Sequence, residues 1–436
     1  MGCDDPSAIG YTAAYMPVVL DCLYLLALAA SLPWLLWRSL RTGRYRSGLR
    51  AKLLGHLRVP PNPRPTVWFH GVSVGEVHLL VTLVAAFRER HPGWRVVVSS
   101  TTDTGLAEVR ARFPDLTVVP YPFDFSWAVG RALDTIRPRL VVLAESELWP
   151  NFLHAAARRR IPVAVVNARL SPRSFARMSR VAGLTRSLLL RHMSVFAAQD
   201  DDTAGRLRQL GVTGDRVSVT GSVKYDGAAG DRDTPKAVAL RALLTRRDEL
   251  VWVAGSTHAP EEAIVLAAFA RLRLRFPTLR LVLVPRHPDR FTEVAGLGDM
   301  VRRSQLTGPP AAMPAVTLLD TVGELGAAWA LADVGFVGGT LDGKRGGQSM
   351  IEPAGYGVPC AFGPHVWNFR TAARWLVEAG GAVQVADAVE MEEAVGRLLG
   401  DADARRAMGD RARKLVRRQQ GATGRTLDVL DRLTAR

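Results

Sequence analysis

Trp68-Phe-His-Gly-Val-Ser-Val-Gly-Glu-Val77 decides how the chain reads: an apolar, strand-like run empties into a glycine-bracketed turn that delivers one carboxylate, Glu76. Helical periodicity follows from Val77 to Arg90. Strand, glycine turn and helix in that order bring the backbone close to a ligand and aim helix N-terminal amides at it. Such a turn places a general base. It equally suits a first-turn carboxylate favoured by the helix dipole, and this stretch alone does not choose between the two.

Outward from it, short β-branched runs recur at Thr66–His70, Val96–Ser99, Leu140–Ala144, Val163–Asn167, Val195–Ala198 and Val217–Thr220, separated by amphipathic helical stretches. Alternating β and α segments imply a parallel sheet covered on both faces. Between Gly221 and Glu249 the chain turns polar and glycine-rich, which marks a boundary. A second series then runs through Leu250–Ala254, Leu281–Pro285, Val334–Val337 and Pro359–Phe362. At 436 residues the chain is too long for one ordinary core. The expected fold is α/β, two Rossmann-like doubly wound domains over residues 66–226 and 227–436, with ligands in a cleft at the carboxyl ends of the strands.

Ahead of them lies the most apolar stretch, Met16–Trp37, interrupted by Asp21 and Pro33 and closed by Trp34 and Trp37. From Arg38 to Arg64 there are eight basic residues and no acidic one. An apolar span of roughly 20 residues followed by arginines reads as a membrane-anchor helix over residues 1–37, spanning or lying shallow, with its basic side cytoplasmic. A cleavable signal peptide fits poorly, since Asp4 and Asp5, not Lys or Arg, precede the run. Residues 38–65 form a basic collar that contains Arg50 and Lys52 and ends in Val59-Pro-Pro-Asn-Pro-Arg-Pro65, a stiff linker. The net charge of +16 is concentrated beside the apolar segment, with no basic face interleaved with aromatics, so a membrane surface is the expected partner and nucleic acid is not. Three scattered cysteines, Cys3, Cys22 and Cys360, give no disulfide framework.

Ligand-type clusters follow the strands. Ser99-Ser-Thr-Thr-Asp-Thr-Gly105 offers hydroxyls, Thr102 among them, and Asn167-Ala-Arg-Leu-Ser171 offers Arg169 for a carboxylate or phosphate, although capping and turns use the same residues. In the second series Gly255-Ser-Thr-His258, Pro285-Arg-His-Pro-Asp-Arg290, Gly338-Gly-Thr340 and Gly346–Gly355 with Glu352 end successive strands. Arginine there suits bidentate phosphate contacts. Asp200-Asp-Asp202 reads as a helix cap with first-turn acids, and no HxxxH or HExxH pair is present, so neither a metal nor another cofactor is expected.

Taken in order, Phe69-His-Gly-Val-Ser-Val-Gly-Glu76, Ala144-Glu-Ser-Glu-Leu-Trp-Pro-Asn151, Asn167–Ser171, Gly221-Ser-Val-Lys-Tyr-Asp226, Pro285-Arg-His-Pro288, Gly323-Glu-Leu325 and Gly347-Gln-Ser-Met-Ile-Glu-Pro353 resemble the 3-deoxy-D-manno-octulosonic acid (Kdo) transferases of lipopolysaccharide assembly. The resemblance implies a GT-B-type inverting glycosyltransferase at the inner membrane, its catalytic domains on the cytoplasmic side, using CMP-Kdo as donor and the anionic lipid A precursor as acceptor. It implies Glu76 as base, with Glu145, or Glu147 two positions on, and Lys224 steadying charge. The implied donor site comprises Ser222, Gly255, Ser256, Pro285, Arg286, His287, Gly323, Glu324, Leu325, Gly338, Gly339, Ser349, Met350, Ile351 and Glu352. The implied acceptor contacts are Ser73, Gly75, Arg50, Lys52, Thr102 and Arg169. Where the family loop often reads Gly-Gly-His-Asn-Pro-Leu-Glu-Pro, this chain has Gln348, Ser349 and Met350 in place of His, Asn and Pro, which changes the side chains offered to the donor phosphate. Two alternatives remain open: a UDP-sugar transferase of the same architecture, and a non-catalytic nucleotide-sugar or anionic-lipid binding protein.

Activity is therefore expected to survive excess chelator, with Asp201→Asn nearly silent. Loss in chelator that magnesium or manganese restores would show those carboxylates to be ligands.

Overall fold

The computed structural model describes residues 6–42, 48–145, 147–228, 230–246 and 248–435. It divides into two units, Met1–Val223 with Gly421–Arg436, and Lys224–Gln420. Each carries one seven-stranded sheet, and all the pairings are parallel. In the first, β1 (Thr66–His70), β2 (Arg95–Ser100), β3 (Thr117–Pro120), β4 (Leu140–Ala144), β5 (Val163–Ala168), β6 (Val195–Ala198) and β7 (Val217–Val219) lie in the order β3-β2-β1-β4-β5-β6-β7. In the second, β8 (Val251–Thr257), β9 (Arg280–Pro285), β10 (Val301–Arg302), β11 (Val316–Leu318), β12 (Val334–Val337), β13 (Cys360–Phe362) and β14 (Ala382–Gln384) lie in the order β10-β11-β9-β8-β12-β13-β14. Chain order reverses between β1 and β4 in one sheet and between β8 and β12 in the other. Those two seams are where an open parallel sheet leaves room for a ligand.

The strands form because their side chains are apolar on both faces. Every residue of β1, β4 and β5 is buried, and the period of two sends alternate residues to opposite layers. Trp68 packs edge-on against Phe152 at 5.3 Å on one face, and Phe69 against Phe87 at 5.5 Å on the other. β8 does the same, with Val251 and Val253 in one layer and Trp252 and Ala254 in the other.

Four strands were missed from sequence: β3, β10, β11 and β14, each only two to four residues long. The expected second domain ran to residue 436, whereas the helix Ala422–Thr434 belongs to the first unit. Its Ala422, Leu427 and Leu430 enter the layer of Val77, Leu80, Val84 and Phe87.

The apolar N-terminal segment is one helix, Pro6–Thr42, and almost nothing of Met16–Trp34 is buried. Leu23, Leu26, Trp34 and Trp37 face outward. Asp21, which interrupted the run in sequence, is buried and accepts the Ser126 N–H at 2.9 Å, the Ser126 hydroxyl at 2.5 Å and the Asn151 side-chain amide at 3.0 Å. One turn on, the Tyr24 hydroxyl donates to Asp124 Oδ2 at 3.1 Å, and Asp124 also accepts the Asn151 and Phe152 N–H groups. The helix is thus clasped to the first unit by its polar interruption, against the expectation that the prolines set it apart. The collar is docked as well: Leu49–Leu54 is helical, Leu53 O accepts Trp127 Nε1–H at 2.9 Å, and Pro60 O accepts from Arg95 at 2.7 Å. Arg44 and Arg46 of the collar, with Cys3, Asp4 and Asp5, lie outside the described residues.

Asp21→Ala strands a backbone and a side-chain donor in a buried place, so about 1–3 kcal/mol of stability is expected to go, read as a lower melting midpoint in detergent. An unchanged midpoint would show the helix to be merely tethered. Burial raises the Asp124 carboxyl to about 7 from 3.8, so between those values the folded chain holds a proton that the unfolded chain releases. Its contribution to stability falls as pH rises through that window, and Asp124→Asn should flatten this limb of the stability profile.

Candidate functional site

The turn after β1 is tied down on both sides of Val72. Ser73 caps the helix Val74–Arg90, its Oγ accepting the Glu76 N–H at 3.3 Å and donating to Glu76 Oε1 at 3.0 Å. Glu76 Oε2 accepts the Val72 N–H at 2.9 Å. Val72 O accepts the hydroxyls of Ser100 and Thr102, both at 2.9 Å, and Thr102 also caps the next helix through the Gly105 N–H. Gly105 is required here, since a Cβ would lie 2.3 Å from Ser100 Oγ and 2.7 Å from Val72 O. At Gly75 a Cβ would meet only Ser73 Oγ, at 3.9 Å, so no steric demand explains that glycine. Glu76 is therefore a capping carboxylate by geometry, held in one orientation at the β1/β4 seam.

Its electrostatics go beyond a cap. Burial raises the Glu76 pKa, and after the opposing Val72 hydrogen bond the next contribution is the charge of Glu145, with that of Glu147 smaller. Glu145 follows β4 directly, at φ 58°, its N–H donating to Val166 O at 2.9 Å. The left-handed region costs a non-glycine residue about 1–3 kcal/mol, and Asn167 at the end of β5, φ 52°, pays a similar strain while accepting the Val223 N–H on Oδ1. Glu147 is raised by burial and accepts Trp149 Nε1–H at 3.1 Å. Of the two carboxylates that sequence left open, Glu145 weighs more on Glu76.

Beneath the turn, His70 is fully buried, its Nδ1 3.0 Å from Ser99 Oγ and its ring stacked on Tyr121 at 3.7 Å. Desolvation lowers it to about 3, so the imidazole is neutral. Sequence reading passed over both residues. The available signal was a polar aromatic at the last position of an otherwise apolar strand.

The expected acceptor contacts do not all converge. Arg169 lines, with Glu145, a cavity of about 440 Å³. Arg50 is exposed on the helix Leu49–Leu54. Lys52 corrects the expectation of a free acceptor contact: it is buried and ion-paired to Asp103 at 3.0 Å, joining the collar to the helix that Thr102 caps. Ser222 is buried near the end of the first unit. Asp200 caps the helix Asp201–Gln209 by accepting the Thr203 N–H.

In the second unit the β8/β12 seam is organised by Glu261, in the first turn of the helix Glu261–Arg275, a residue absent from the sites expected from sequence. It is fully buried, and its carboxylate accepts four backbone N–H groups, from His258, Gly339, Thr340 and Leu341, at 2.7–3.1 Å. Gly338 lets the two strand ends touch, since a Cβ would come 2.5 Å from Thr257 Cα. Gly255 has a packing reason to be glycine, since a Cβ would sit 2.3 Å from the Trp329 ring. Ser256 is left-handed, φ 56°, where the β8–β9 register shifts.

Pro285 ends β9 and aims Arg286 outward. Gln348 links two of the donor-side groups, its Oε1 accepting from Arg286 at 3.2 Å and its Nε2 lying 3.3 Å from His258 Nε2. This answers the departure of the loop from the family pattern, since Gln348 joins the cluster in place of a histidine. Burial, then the Arg345 charge, lowers His258 to about 4, and burial with Arg286 lowers His287. The site is thus positive before any imidazole ionises, which suits an anion. Met350 and Ile351 are buried packing residues, while Glu352, in the first turn of Ile351–Gly355, reaches solvent, and Ser349 is half-buried. Although the residue keeps solvent-accessible surface, desolvation by the surrounding chain raises the Glu352 carboxyl, and the Arg286 guanidinium opposes that. Gly323 is left-handed, φ 84°, and Glu324 accepts from Arg303 and Thr321 ahead of the helix that Leu325 begins. Lys224 lies 6.0 Å from the Phe369 ring.

Residues 41–227 match the family model of the 3-deoxy-D-manno-octulosonic-acid transferases (kdotransferases). The chain is similar to the 3-deoxy-D-manno-octulosonic acid transferase of Bordetella pertussis, 36% identical over 429 residues that cover 94% of this chain and 98% of that one. It is also similar to that of Haemophilus influenzae, 34% identical over 401 residues, 90% and 92% covered. Among solved structures, the UDP-GlcNAc 2-epimerase of Neisseria meningitidis superposes with a TM-score of 0.54 at 14% identity, covering 85% of this chain and 100% of that one. A calicheamicin glycosyltransferase does so at 0.54 and 16%, covering 86% and 99%. These two likenesses establish the fold alone.

Glu261→Ala removes the acceptor for four buried amides, and a loss of at least about 2 kcal/mol is expected, with the Gly338–Leu341 loop exchanging its amide hydrogens faster. Unchanged exchange there would show the carboxylate to be dispensable.

Proposed function

Because the chain belongs to the Kdo transferase family of glycosyltransferases, we propose that it moves Kdo from CMP-Kdo to a sugar hydroxyl of an anionic lipid A precursor, with inversion, at the cytoplasmic face of the inner membrane. The observation that carries this reading is Glu76, a carboxylate fixed at the β1/β4 seam with a raised pKa beside Glu145. Ionised Glu76 accepts the proton of the acceptor hydroxyl as its oxygen attacks the anomeric carbon of Kdo. The bond from that carbon to the phosphate oxygen breaks, and CMP departs as a phosphate monoester. Arg286, with Gln348 behind it, and Lys224 suit the departing phosphate, and such charge stabilisation fills the role a metal has for other donors. Glu145 offsets positive charge developing on the sugar. Glu352 suits the ribose hydroxyls of the nucleotide.

A positioned base typically gives ~100 to 10,000-fold. Glu76→Gln keeps shape and removes the proton acceptor, so Kdo transfer should drop at least ~100-fold, about 2.7 kcal/mol in the barrier, with CMP affinity within a factor of a few. Turnover near that of the unaltered protein would move the base to Glu145. The base must be ionised, and its pKa is raised above 4.5, so the rate should fall as pH drops through a value above 4.5, a limb absent from the residual activity of Glu76→Gln. CMP should raise the melting midpoint by mass action more than UDP does. Equal stabilisation by both would favour a UDP-sugar donor.

A further inference from the structure

Residues Arg169 to Ala198 contain six arginines and no carboxylate. They form the helices Pro172–Arg180 and Ala182–Leu188, which roof the 440 Å³ cavity over the ends of β5 and β6. Val165, Leu170, Met178, Leu189, Phe196 and Leu207 give the cavity apolar wall, and Glu145, Arg169 and Arg177 add charge to its lining. Protein interiors are close-packed, so an apolar opening of this size is a receptacle of ligand dimensions. Arg177 reaches from that lining to solvent, Arg173 and Arg180 beside it are exposed, and Val181 and Leu184 are each 52% exposed on the same segment.

The neighbouring helix says what this face meets. Met16, Pro17 and Leu20 of the apolar N-terminal helix border Ser187, Leu188 and Arg191 around a second, smaller cavity. The arginine-rich roof therefore adjoins the segment that carries the exposed leucines and tryptophans, and basic side chains with exposed apolar ones beside such a helix fit an anionic lipid surface. A water-soluble anion would need the arginines but not the apolar wall.

We propose that this cavity takes an acyl chain of a phosphorylated glycolipid, with Arg173 and Arg177 on its phosphate and the sugar hydroxyl left at the Glu145 end. The proposal rests on the reading of the acceptor as an anionic lipid and names where on the chain that lipid is held. Arginine at the rim contributes paired hydrogen bonds to phosphate, and the wall contributes burial of methylenes.

The test compares the full-length protein in neutral detergent with Met178→Trp, which fills the cavity, and with Arg173→Glu/Arg177→Glu, whose exposed side chains are not needed for folding. KM for a tetra-acylated, phosphorylated glucosamine disaccharide should rise at least about tenfold in both variants; for the fully deacylated disaccharide, which keeps its phosphate, kcat/KM should stay within about twofold in Met178→Trp and fall in Arg173→Glu/Arg177→Glu. Binding of dioctanoyl phosphatidic acid, followed by calorimetry, should weaken about tenfold in parallel. Equal losses on both acceptors in Met178→Trp, or no loss on the acylated acceptor in either variant, would overturn the proposal. So would inorganic phosphate binding as tightly as the lipid, since the arginines would then hold a free anion. If the unaltered protein transfers no Kdo yet binds phosphatidic acid in a way that both variants weaken, the proposed reaction fails and the lipid cavity stands.

Discussion

A parallel strand buried on both faces has no place for a polar side chain until its last residue, and that constraint governs where chemistry appears in this chain. β1, β4 and β5 are apolar and covered along most of their length, and their ends deliver His70, Glu145 and Asn167. Chain order reverses at two seams, so the turns flanking each seam diverge and leave backbone groups unpaired by the sheet. Carboxylates satisfy them: Glu76 takes the Val72 amide in one unit, and Glu261 takes four amides in the other. The two glutamates solve the same problem with different outcomes. Glu261 is saturated and inert, whereas Glu76 keeps accessible surface beside two further acids.

The electrostatic contrast between the units follows from their sequences. Around Glu76 burial, with the like charges of Glu145 and Glu147 added, raises the proton affinity of a carboxylate, the direction that favours a base. Around Arg286 and Arg345 burial, then the like charges, lowers the proton affinity of two imidazoles, which leaves a neutral pair of rings beside fixed cations. A phosphate arriving there meets charge that needs no proton to be recruited.

Much of this was legible in the sequence. Short apolar runs matched β1, β4 and β6 to the residue, because burial on both faces leaves an apolar block. Short edge strands such as β10 and β14 bury little and carry no such block. Glu76 was found through its glycine-bracketed turn. Glu261 was not valued, because three of its four partners come from a loop almost eighty residues away and a local cap looks the same in sequence. Lys52 seemed one more collar cation until its partner Asp103, also distant, was in view. Asp21 misled most, since hydropathy treats a charge in an apolar helix as a flaw, and only the facing amides of Ser126 and Asn151 turn it into a fastening.

The return of the last helix to the first unit separates the order of synthesis from the order of folding. A ribosome delivers β1 through β7 long before Ala422–Thr434, yet Leu427 and Leu430 complete the layer that holds Val77, Leu80 and Phe87. Until the final residues emerge, that greasy flank of the N-terminal sheet stays uncovered beside an already translated lipophilic helix. The nascent chain thus offers a chaperone or a bilayer two sticky surfaces at once, and a protein cut short at its C-terminus would fail at its N-terminal half.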